Sequence, residues 1–520
     1  MKIFSLALAV VTGLAVPSAP AATSERPPAS LTPAAIDAYV SRALDKTGLP
    51  GLSVVVTHGD RIVHAAGYGH DSEGRPVTAG TPMRVASVTK SFTAMAVMIL
   101  VEEGKLALDR PVAEQLPELR MADPRAKTIT VRHLLNQTSG LSDTTTDIRD
   151  LDTAASLKEY AAKLGDATLR AAPGTHWEYC NVNYNLAARL VEVASGRAFG
   201  DFMRERVFGP LGMRSSAVSD RAVRPADGYN SVYGLWLPRP ELPAFLDGSG
   251  SGGVITTAAD MGRWLITQNG RGRRLVGPAS LAAMHTPGKV REYGMGWGID
   301  DETRRLTHSG NLFTYTAVET IVPETGYGFA VMTNSASLTD DTFAIAGGLA
   351  DLSEGTPPEV PGGDRQLFEL VLGVIALVAA GLGALGAARS RRWAARRLAS
   401  RTQDATRSSK RTRRPATRTS QGRSRGTSQG RSQGSWRAGL RLVPVLLPST
   451  LLAAYPDLVS FLMNGRTVTW AQLTYFAAPL TITLVVAAVA GLTTAAFRLA
   501  RYRALSRTPL TTTPADTAKR

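Results

Sequence analysis

Apolar residues recur along the first part of the chain at spacings that predict both strands and helices. Residues 52–56 and 61–63 are rich in β-branched side chains, and Gly59 and Asp60 between them predict a tight turn. Residues 87–103 instead carry apolar side chains at spacings of three and four, which is typical of a helix. We therefore expect a hairpin and, further along, a helix near the start of this region.

The same region, residues 34–352, predicts another helix and two late strands. Residues 183–195 repeat the helical spacing, and Gly196 directly after them is a residue that commonly ends helices. Residues 317–322 and 327–333 have the composition of two adjacent strands. Because helices separate the early strands from the late ones, we predict an α+β fold with one sheet built from both ends of the region.

Three longer apolar segments follow, at residues 367–388, 440–463 and 475–497. Each is long enough to cross the ~30 Å hydrocarbon core of a bilayer, although a buried core helix is the alternative. The middle segment is the weakest, because it is interrupted by Arg441, Pro444, Pro448, Pro456 and Asp457. We predict three transmembrane helices.

Residues 1–22 have the pattern of a secretory signal peptide. Lys2 precedes an apolar run at residues 3–16, and Ala21 and Ala22 lie among the small residues that a signal peptidase requires. The run is short for a membrane crossing, so we predict cleavage rather than an uncleaved anchor.

The formal net charge of +16 is confined to the C-terminal part of the chain. Residues 389–520 hold 24 of the 59 lysines and arginines but three of the 43 acidic residues, so the remainder is mildly acidic. The basic segments at 389–439 and 498–520 flank the apolar segments, and the positive-inside rule places both in the cytoplasm. Residues 23–360 are then predicted to form an extracytoplasmic domain anchored to the cell membrane.

Residues 389–439 are rich in arginine, serine, glycine and glutamine and repeat the sequence Thr-Ser-Gln-Gly-Arg-Ser. This composition predicts a disordered linker, and its charge is suited to contact with anionic lipid headgroups. Few aromatic side chains interleave the charges, so we expect no nucleic-acid partner. The expected partners are the lipid bilayer and a small-molecule or peptide substrate.

Cysteine and histidine usage argues against a metal or redox site. The single cysteine, Cys180, excludes a disulfide within the chain. The seven histidines show neither an HExxH motif nor a cluster with metal-ligand spacing. We therefore expect no metal ion and no cofactor.

A Ser-x-x-Lys sequence, Ser87 to Lys90, lies at the start of the first predicted helix. Residues three apart share a helical face, so the two side chains can meet. A serine hydroxyl is a weak nucleophile, and a lysine amine can take its proton when burial and neighbouring cations lower the amine's pKa. We predict Ser87 as nucleophile and Lys90 as its base. The alternative for an isolated Ser-x-x-Lys is an exposed helix start.

Two further motifs have chemistry that suits the same reaction. Tyr179 can pass a proton to a leaving group once Lys90 lowers its pKa, and the amide of Asn181 can bind a carbonyl. The sequence His308-Ser309-Gly310 precedes the late strand pair; its glycine permits close approach, and the following N–H can point at an oxyanion. A simple turn is the alternative reading of each motif alone.

In order and spacing, the three motifs resemble the penicillin-recognising serine hydrolases, which include β-lactamases, D-alanyl-D-alanine carboxypeptidases and related esterases. The resemblance covers about residues 34–350 and is strongest to the class C β-lactamase and peptidase S12 branch. It extends to the sequences at 50–54, 130–135, 138–141 and 252–257.

This resemblance implies a β-lactamase/transpeptidase-like fold, in which an antiparallel sheet flanked by helices is joined by an all-α subdomain. It also implies an acyl-enzyme mechanism and a role for each motif residue: Ser87 as nucleophile, Lys90 and Tyr179 as the acid/base pair, His308 as a polar group beside Tyr179, Asn181, Ser309 and Gly310 as substrate-binding residues, and the N–H groups of Ser87 and Asn311 as the oxyanion hole.

Position 308 departs from many of these enzymes, which carry lysine there. A histidine is largely neutral at pH 7, which favours neutral esters and amides of D-configured substrates over carboxylates. The predicted function is a serine hydrolase of peptide, amide or ester bonds (a D-peptidase, a β-lactamase-like enzyme or an esterase). The alternatives are a prodrug-activating D-amino-acid peptidase and a non-catalytic, penicillin-binding-like sensor of cell-wall fragments.

Overall fold

The computed structural model describes residues 31–242, 244–339, 341–412, 442–463 and 465–507. The predicted signal peptide, residues 1–22, lies outside these ranges. So do residues 413–439 of the predicted linker and residues 508–520 of the predicted basic tail.

The strands of the described residues form one large sheet and two small ones. The six-stranded sheet is antiparallel throughout and has the order β2-β1-β10-β9-β8-β7. A three-stranded sheet has the order β11-β4-β5, and β3 pairs with β6. The strand bounds are β1 Gly51–His58, β2 Arg61–Gly69, β3 Met83–Arg84, β4 Gly228–Val232, β5 Leu235–Arg239, β6 Ile255–Thr256, β7 Gly298–Ile299, β8 Leu306–Asn311, β9 Thr316–Val322, β10 Tyr327–Thr333 and β11 Ser335–Ala336.

The helices surround the sheets and then continue beyond them. Their bounds are α1 Pro33–Thr47, α2 Thr89–Glu102, α3 Val112–Gln115, α4 Val131–Leu135, α5 Ile148–Leu151, α6 Leu157–Ala162, α7 Asn181–Ser195, α8 Phe199–Met203, α9 Gly209–Leu211, α10 Ala258–Gln268, α11 Pro278–Met284, α12 Asp341–Ser353, α13 Asp364–Ala388, α14 Ser390–Thr412, α15 Val443–Ala453, α16 Tyr455–Leu462, α17 Trp470–Phe476 and α18 Ala478–Arg507. Short 3₁₀ turns cover Ala86–Val88 and Pro124–Thr128, and Arg204–Phe208 is a π-helical turn.

The six-stranded sheet lies between two layers of helices, because successive side chains of a strand face opposite sides. Val54 and Val56 of β1 pack into a cluster with residues of α1 and α12. Val55 packs into the larger cluster on the other face, where Phe92 of α2 stacks on Trp264 of α10 with ring centroids 3.9 Å apart. Helices α3 to α9 join this larger cluster and form the all-α region. The predicted α+β class is therefore confirmed.

Most of the predicted elements are present, and two of them differ in detail. The hairpin, the helix ending before Gly196 and the sheet built from both ends of the region are confirmed. Ser87 lies in the 3₁₀ turn that precedes α2 rather than in the α-helix itself. His308 lies within strand β8, which pairs with β9, so the turn alternative for this motif is wrong.

The apolar C-terminal segments form two long helices and one bent pair. Helices α13 and α18 are each long and apolar enough to cross a membrane. Helices α15 and α16 meet at an angle of 61°, so the segment predicted as a span at 440–463 has the shape of a broken span or of a re-entrant loop. Pro456 in the first turn of α16 has no backbone N–H with which to continue the hydrogen bonding of α15.

The prediction of disorder for residues 389–439 is wrong for residues 390–412, which form α14. Alanine and arginine, which recur in this stretch, have high helix propensity. The start of α14 also packs against α18: Ala394 is fully buried, and the guanidinium carbon of Arg498 lies 5.5 Å from the centroid of the Trp393 ring. Propensity and packing together therefore stabilise the helix.

Polar contacts join the apolar helices to the region that precedes them. Arg365, at the start of α13, donates hydrogen bonds to the Ser231 hydroxyl and to the carbonyl of Thr47, both at 2.7 Å. Tyr233, in the turn between β4 and β5, donates to the carbonyl of Pro479 at 2.9 Å. The C-terminal helices thus pack directly on the α+β region.

Candidate active site

The predicted nucleophile, Ser87, lies where a strained turn meets the edge of the large sheet. Ala86, directly before it, has a φ of 50°, a left-handed value that residues with a Cβ rarely adopt. Strand β8 passes so close that a Cβ added to Gly310 would lie 2.2 Å from the carbonyl oxygen of Val85 and 2.8 Å from the nitrogen of Ser87. The glycine is therefore required by the close approach of two backbones.

The side chain of Lys90 is fully buried and reaches three groups from separate parts of the fold. Its Nζ lies 3.0 Å from Ser87 Oγ, 2.9 Å from Asn181 Oδ1 and 2.8 Å from the carbonyl oxygen of Ser251. Burial, and secondarily the positive charge of Arg466, hold the pKa of Lys90 well below its ordinary value. The structure thus brings together Ser87, Lys90 and Asn181 as the sequence predicted.

Tyr179 lies beside the same amine, in the loop that leads into α7. Its ring centroid is 4.8 Å from Lys90 Nζ, and its hydroxyl neighbours that of Ser87 closely enough for the serine to lower the pKa of the phenol. The loop is held by Gln137, whose side-chain oxygen accepts from the nitrogen of Cys180 at 3.1 Å and from the amide of Asn183 at 2.6 Å.

The expectation that Lys90 lowers the pKa of Tyr179 is wrong. Burial raises the pKa of Tyr179 to about 12, and the neighbouring Ser87 hydroxyl and the charge of Arg466 only partly oppose this rise. The physical reason is that a buried phenolate loses its hydration, while a lysine whose own pKa is depressed offers little positive charge. Tyr179 is therefore a protonated phenol at neutral pH.

His308 lies on β8 near Tyr179, with 6.3 Å between the ring centroids. Its Nδ1 lies 2.8 Å from the carbonyl oxygen of Ser309, and its Nε2 lies 3.1 Å from the hydroxyl of Tyr293. A carbonyl only accepts, so Nδ1 carries the proton and Nε2 accepts from Tyr293. Burial, and then the charge of Lys90, lower the pKa of His308 to about 3. The ring is neutral at pH 7.

Beyond Thr307, strand β8 forms an open edge within the described part of the chain, because β7 pairs with it at Leu306 and Thr307. His308 is buried, Ser309 is half-buried and Asn311 is exposed along this edge. The side-chain oxygen of Asn311 accepts from the nitrogen of Phe313 at 2.7 Å, which stabilises the turn that follows. The predicted substrate-binding residues of this motif therefore lie on a strand edge beside Ser87.

Arg466, which the sequence reasoning missed, also contacts this site. It lies between α16 and α17, and its guanidinium carbon is 5.4 Å from the centroid of the Tyr179 ring. Its Nε is 3.5 Å from a carboxylate oxygen of Asp143. One signal was available: Arg466 is the single basic residue between Arg441 and Arg498, and it lies between the second and third predicted transmembrane helices.

Comparison with known proteins gives consistent matches over the α+β region. The Beta-lactamase family model matches residues 36–354. Protein flp of Staphylococcus aureus (strain MW2) is 26% identical over 312 residues, which cover 58% of this chain and 62% of flp. Penicillin-binding protein 4 of Amycolatopsis lactamdurans is 32% identical over 319 residues, which cover 56% of this chain and 82% of that protein.

A solved structure gives the same result in three dimensions. The octameric penicillin-binding protein homologue from Pyrococcus abyssi superposes with a TM-score of 0.53 and 26% identity, covering 66% of this chain and 80% of that one. The chain spans less than two thirds of the length of the flp relatives that it matches.

Proposed function

The chain belongs to the Beta-lactamase family, and from that premise we propose that it is a membrane-anchored, extracytoplasmic serine hydrolase that cleaves peptide, amide or ester bonds through an acyl-enzyme. The observation that carries this proposal is the set of contacts made by Lys90. Two of its three partners, Asn181 Oδ1 and the carbonyl oxygen of Ser251, are atoms that only accept hydrogen bonds.

A neutral amine has two N–H donors and one lone pair. If both donors go to Asn181 and Ser251, the lone pair is left for the third partner, the Ser87 hydroxyl at 3.0 Å. The lowered pKa of Lys90 supports this neutral form. In this arrangement Lys90 takes the proton as Ser87 Oγ attacks a carbonyl carbon, so general-base catalysis needs no further group.

Tyr179 fits the role of general acid for the departing group. Its pKa of about 12 keeps the phenol protonated at neutral pH, and its hydroxyl neighbours that of Ser87. The proton given to the leaving group can be replaced from Lys90, whose Nζ lies 4.8 Å from the Tyr179 ring centroid. Acylation then leaves both groups ready to activate a water molecule for hydrolysis.

The backbone near Ser87 supports stabilisation of the tetrahedral intermediate. Gly310 brings β8 against the turn that carries Ser87, so the N–H groups of Ser87 and Asn311 can converge on one oxyanion. Lys90 holds the oxygen of the Asn181 side chain at 2.9 Å, which leaves the amide nitrogen to donate to a substrate carbonyl. Removing one oxyanion donor typically costs about 10²–10³ in rate.

Activity-based labelling tests this function. The full-length chain, purified in detergent micelles, should react covalently with a fluorescent fluorophosphonate, and Ser87→Ala should abolish labelling. Ser215→Ala is the matched control, because Ser215 is exposed and its backbone, rather than its hydroxyl, is hydrogen-bonded to Asp260. Equal labelling of the wild-type chain and Ser87→Ala would refute the assignment of the nucleophile.

A further inference from the structure

A short segment between α16 and α17 is fixed against the active site. Thr467 Oγ1 donates to the carbonyl of Asp143 at 3.1 Å, and the Ser460 hydroxyl donates to the carbonyl of Arg466 at 2.5 Å. A Cβ added to Gly465 would lie 3.0 Å from Thr144, so the segment packs closely on the loop that carries Asp143. The segment that carries Arg466 is therefore held both by the loop of Asp143 and by Ser460 of α16.

The guanidinium of Arg466 and the amine of Lys90 lie near the same ring. The Tyr179 centroid is 5.4 Å from the Arg466 guanidinium carbon and 4.8 Å from Lys90 Nζ. Ser87 in turn neighbours the hydroxyl of Tyr179 and lowers its pKa, so the arginine and the nucleophile adjoin the same phenol. The apolar C-terminal helices thus contribute a charged side chain to the catalytic domain's site.

Arg466 is accessible as well as close. Its side chain is 38% exposed, whereas that of its partner Asp143 is 9% exposed. An arginine has five N–H donors, and the contact with Asp143 uses the Nε edge. The two terminal nitrogens are further donors, and a planar guanidinium can bind a carboxylate through two parallel hydrogen bonds.

Two other basic side chains that neighbour Tyr179, those of His308 and Lys90, do not supply a fixed charge. Burial makes His308 neutral, and Lys90 acts in its neutral form. We infer that Arg466 provides the permanent positive charge of this site and that the substrates are acyl compounds bearing a carboxylate. This inference rests on the proposed function. It reverses the preference for neutral substrates expected from His308 alone.

A second permanently charged side chain, Arg291, lies one aromatic ring further from Tyr179. The guanidinium carbon of Arg291 is 4.4 Å from the centroid of the Trp177 ring, and Trp177 lies 6.4 Å from Tyr179 by ring centroids. Arg291 is exposed and, like Arg466, lies against an aromatic ring. Arg291→Ala therefore provides the matched control for Arg466→Ala, since it removes a guanidinium that lies against the neighbouring ring of Trp177.

The test compares two substrates that differ only in the carboxylate, benzylpenicillin and its methyl ester. The full-length chain in detergent micelles is assayed for the second-order rate constant of acylation by each compound. In Arg466→Ala the rate constant for the acid, divided by that for the ester, should fall roughly ten- to hundredfold, which is the usual range for a charge-assisted hydrogen bond. Arg466→Lys should give an intermediate ratio, because an ammonium keeps the positive charge but cannot form the two parallel hydrogen bonds of a guanidinium. Arg291→Ala should leave the ratio near that of the wild type.

The outcomes separate this inference from the function on which it rests. Fluorophosphonate labelling of each variant reports whether Ser87 is present in a folded, reactive site. A wild-type chain that fails to label contradicts the proposed function. If the wild-type chain labels but the acid-to-ester ratio of rate constants is the same in Arg466→Ala, the inference is overturned and the proposed function stands. The same holds if the wild-type chain labels but reacts with neither benzylpenicillin nor its methyl ester. A fall of the ratio in Arg291→Ala instead of Arg466→Ala also overturns it.

Discussion

The amine of Lys90 lies 3.0 Å from the hydroxyl of Ser87, although the two residues belong to different kinds of helical turn. Ser87 lies in a 3₁₀ turn and Lys90 in the first turn of α2. Ala86, with its left-handed backbone, precedes the pair. Strain of this kind costs of order 1–3 kcal/mol and persists where the surroundings over-determine it. Here the surroundings are the backbone of β8 and the buried amine of Lys90.

The acylation rate should depend on pH through Lys90. Because its pKa lies well below the ordinary value, the reactive neutral amine should be populated at neutral pH, with activity lost as pH falls through that pKa. Arg466 disfavours the protonated amine, so its removal in Arg466→Ala should raise the pKa and shift this acidic limb to higher pH. The measurement is the pH profile of acylation by p-nitrophenyl butyrate in both chains. A limb that stays in place would show that Arg466 does not act on Lys90.

Gly310→Ala should disrupt the site and destabilise the fold. The added Cβ would lie 2.2 Å from the carbonyl oxygen of Val85, so β8 or the turn of Ser87 must move. Overpacking of this kind costs about 1–3 kcal/mol, and labelling of Ser87 should be largely lost. Gly347→Ala is the control, because a Cβ there meets nothing within 4 Å and alanine favours a helix. Thermal melting and fluorophosphonate labelling of both variants measure the two effects; full labelling of Gly310→Ala would contradict the close approach.

Glu319 should make the stability of the catalytic domain depend on pH. Burial raises the pKa of Glu319 from 4.5 to about 8, while Trp264 Nε1 donates to its carboxyl at 2.9 Å. A raised folded-state pKa means that the folded chain retains a proton that the unfolded chain has lost. Stability should therefore decline as pH rises from about 4.5 to about 8, by at most a few kcal/mol.

Glu319→Gln replaces the carboxyl with a group that does not titrate in this range. The melting temperature of this variant should fall less between pH 5 and pH 8 than that of the wild type. Parallel pH dependence of the two proteins would show that Glu319 does not take up a proton on folding.

The orientation of the C-terminal helices is also open to test. Since the segment holding Arg466 contacts the loop of Asp143, both must lie on the same side of the bilayer. A reporter fused after residue 366 should be active only outside the cytoplasm, and one fused at residues 400–412 only inside, as the positive-inside rule requires. Activity in the reverse compartments would contradict the three-span arrangement.

The sequence predicted the fold and the proximity of three residues at the site, but not the whole of the site's electrostatics. Ser87 and Lys90 could be placed together by their helical spacing, and Asn181 could be placed with them because the motifs resemble a known family. Arg466 could not be placed, because its position depends on how a loop between two apolar helices packs on the distant Asp143 loop. The pKa of Tyr179 was predicted in the wrong direction, because burial is a property of the packed fold rather than of the motif.

The helix over residues 390–412 was missed for a related reason. Its composition suits a disordered linker, and charge dominated that interpretation. The contact of Arg498 with Trp393 and the burial of Ala394 come from a helix far along the chain. Local composition therefore predicted a polar segment, but it could not predict the helix that contacts with α18 stabilise.

The most direct test of the account is the rate of acylation in Lys90→Ala. Lys105→Ala is the matched control, because Lys105 is an exposed lysine that pairs with Glu103 at 2.8 Å. With the base removed, acylation of the full-length chain by benzylpenicillin, measured by stopped flow or intact mass, should slow by about 10²–10⁴, with an unchanged melting curve. Lys105→Ala should react like the wild type. A loss of less than about tenfold in a folded Lys90→Ala protein would contradict the claim that Lys90 activates Ser87.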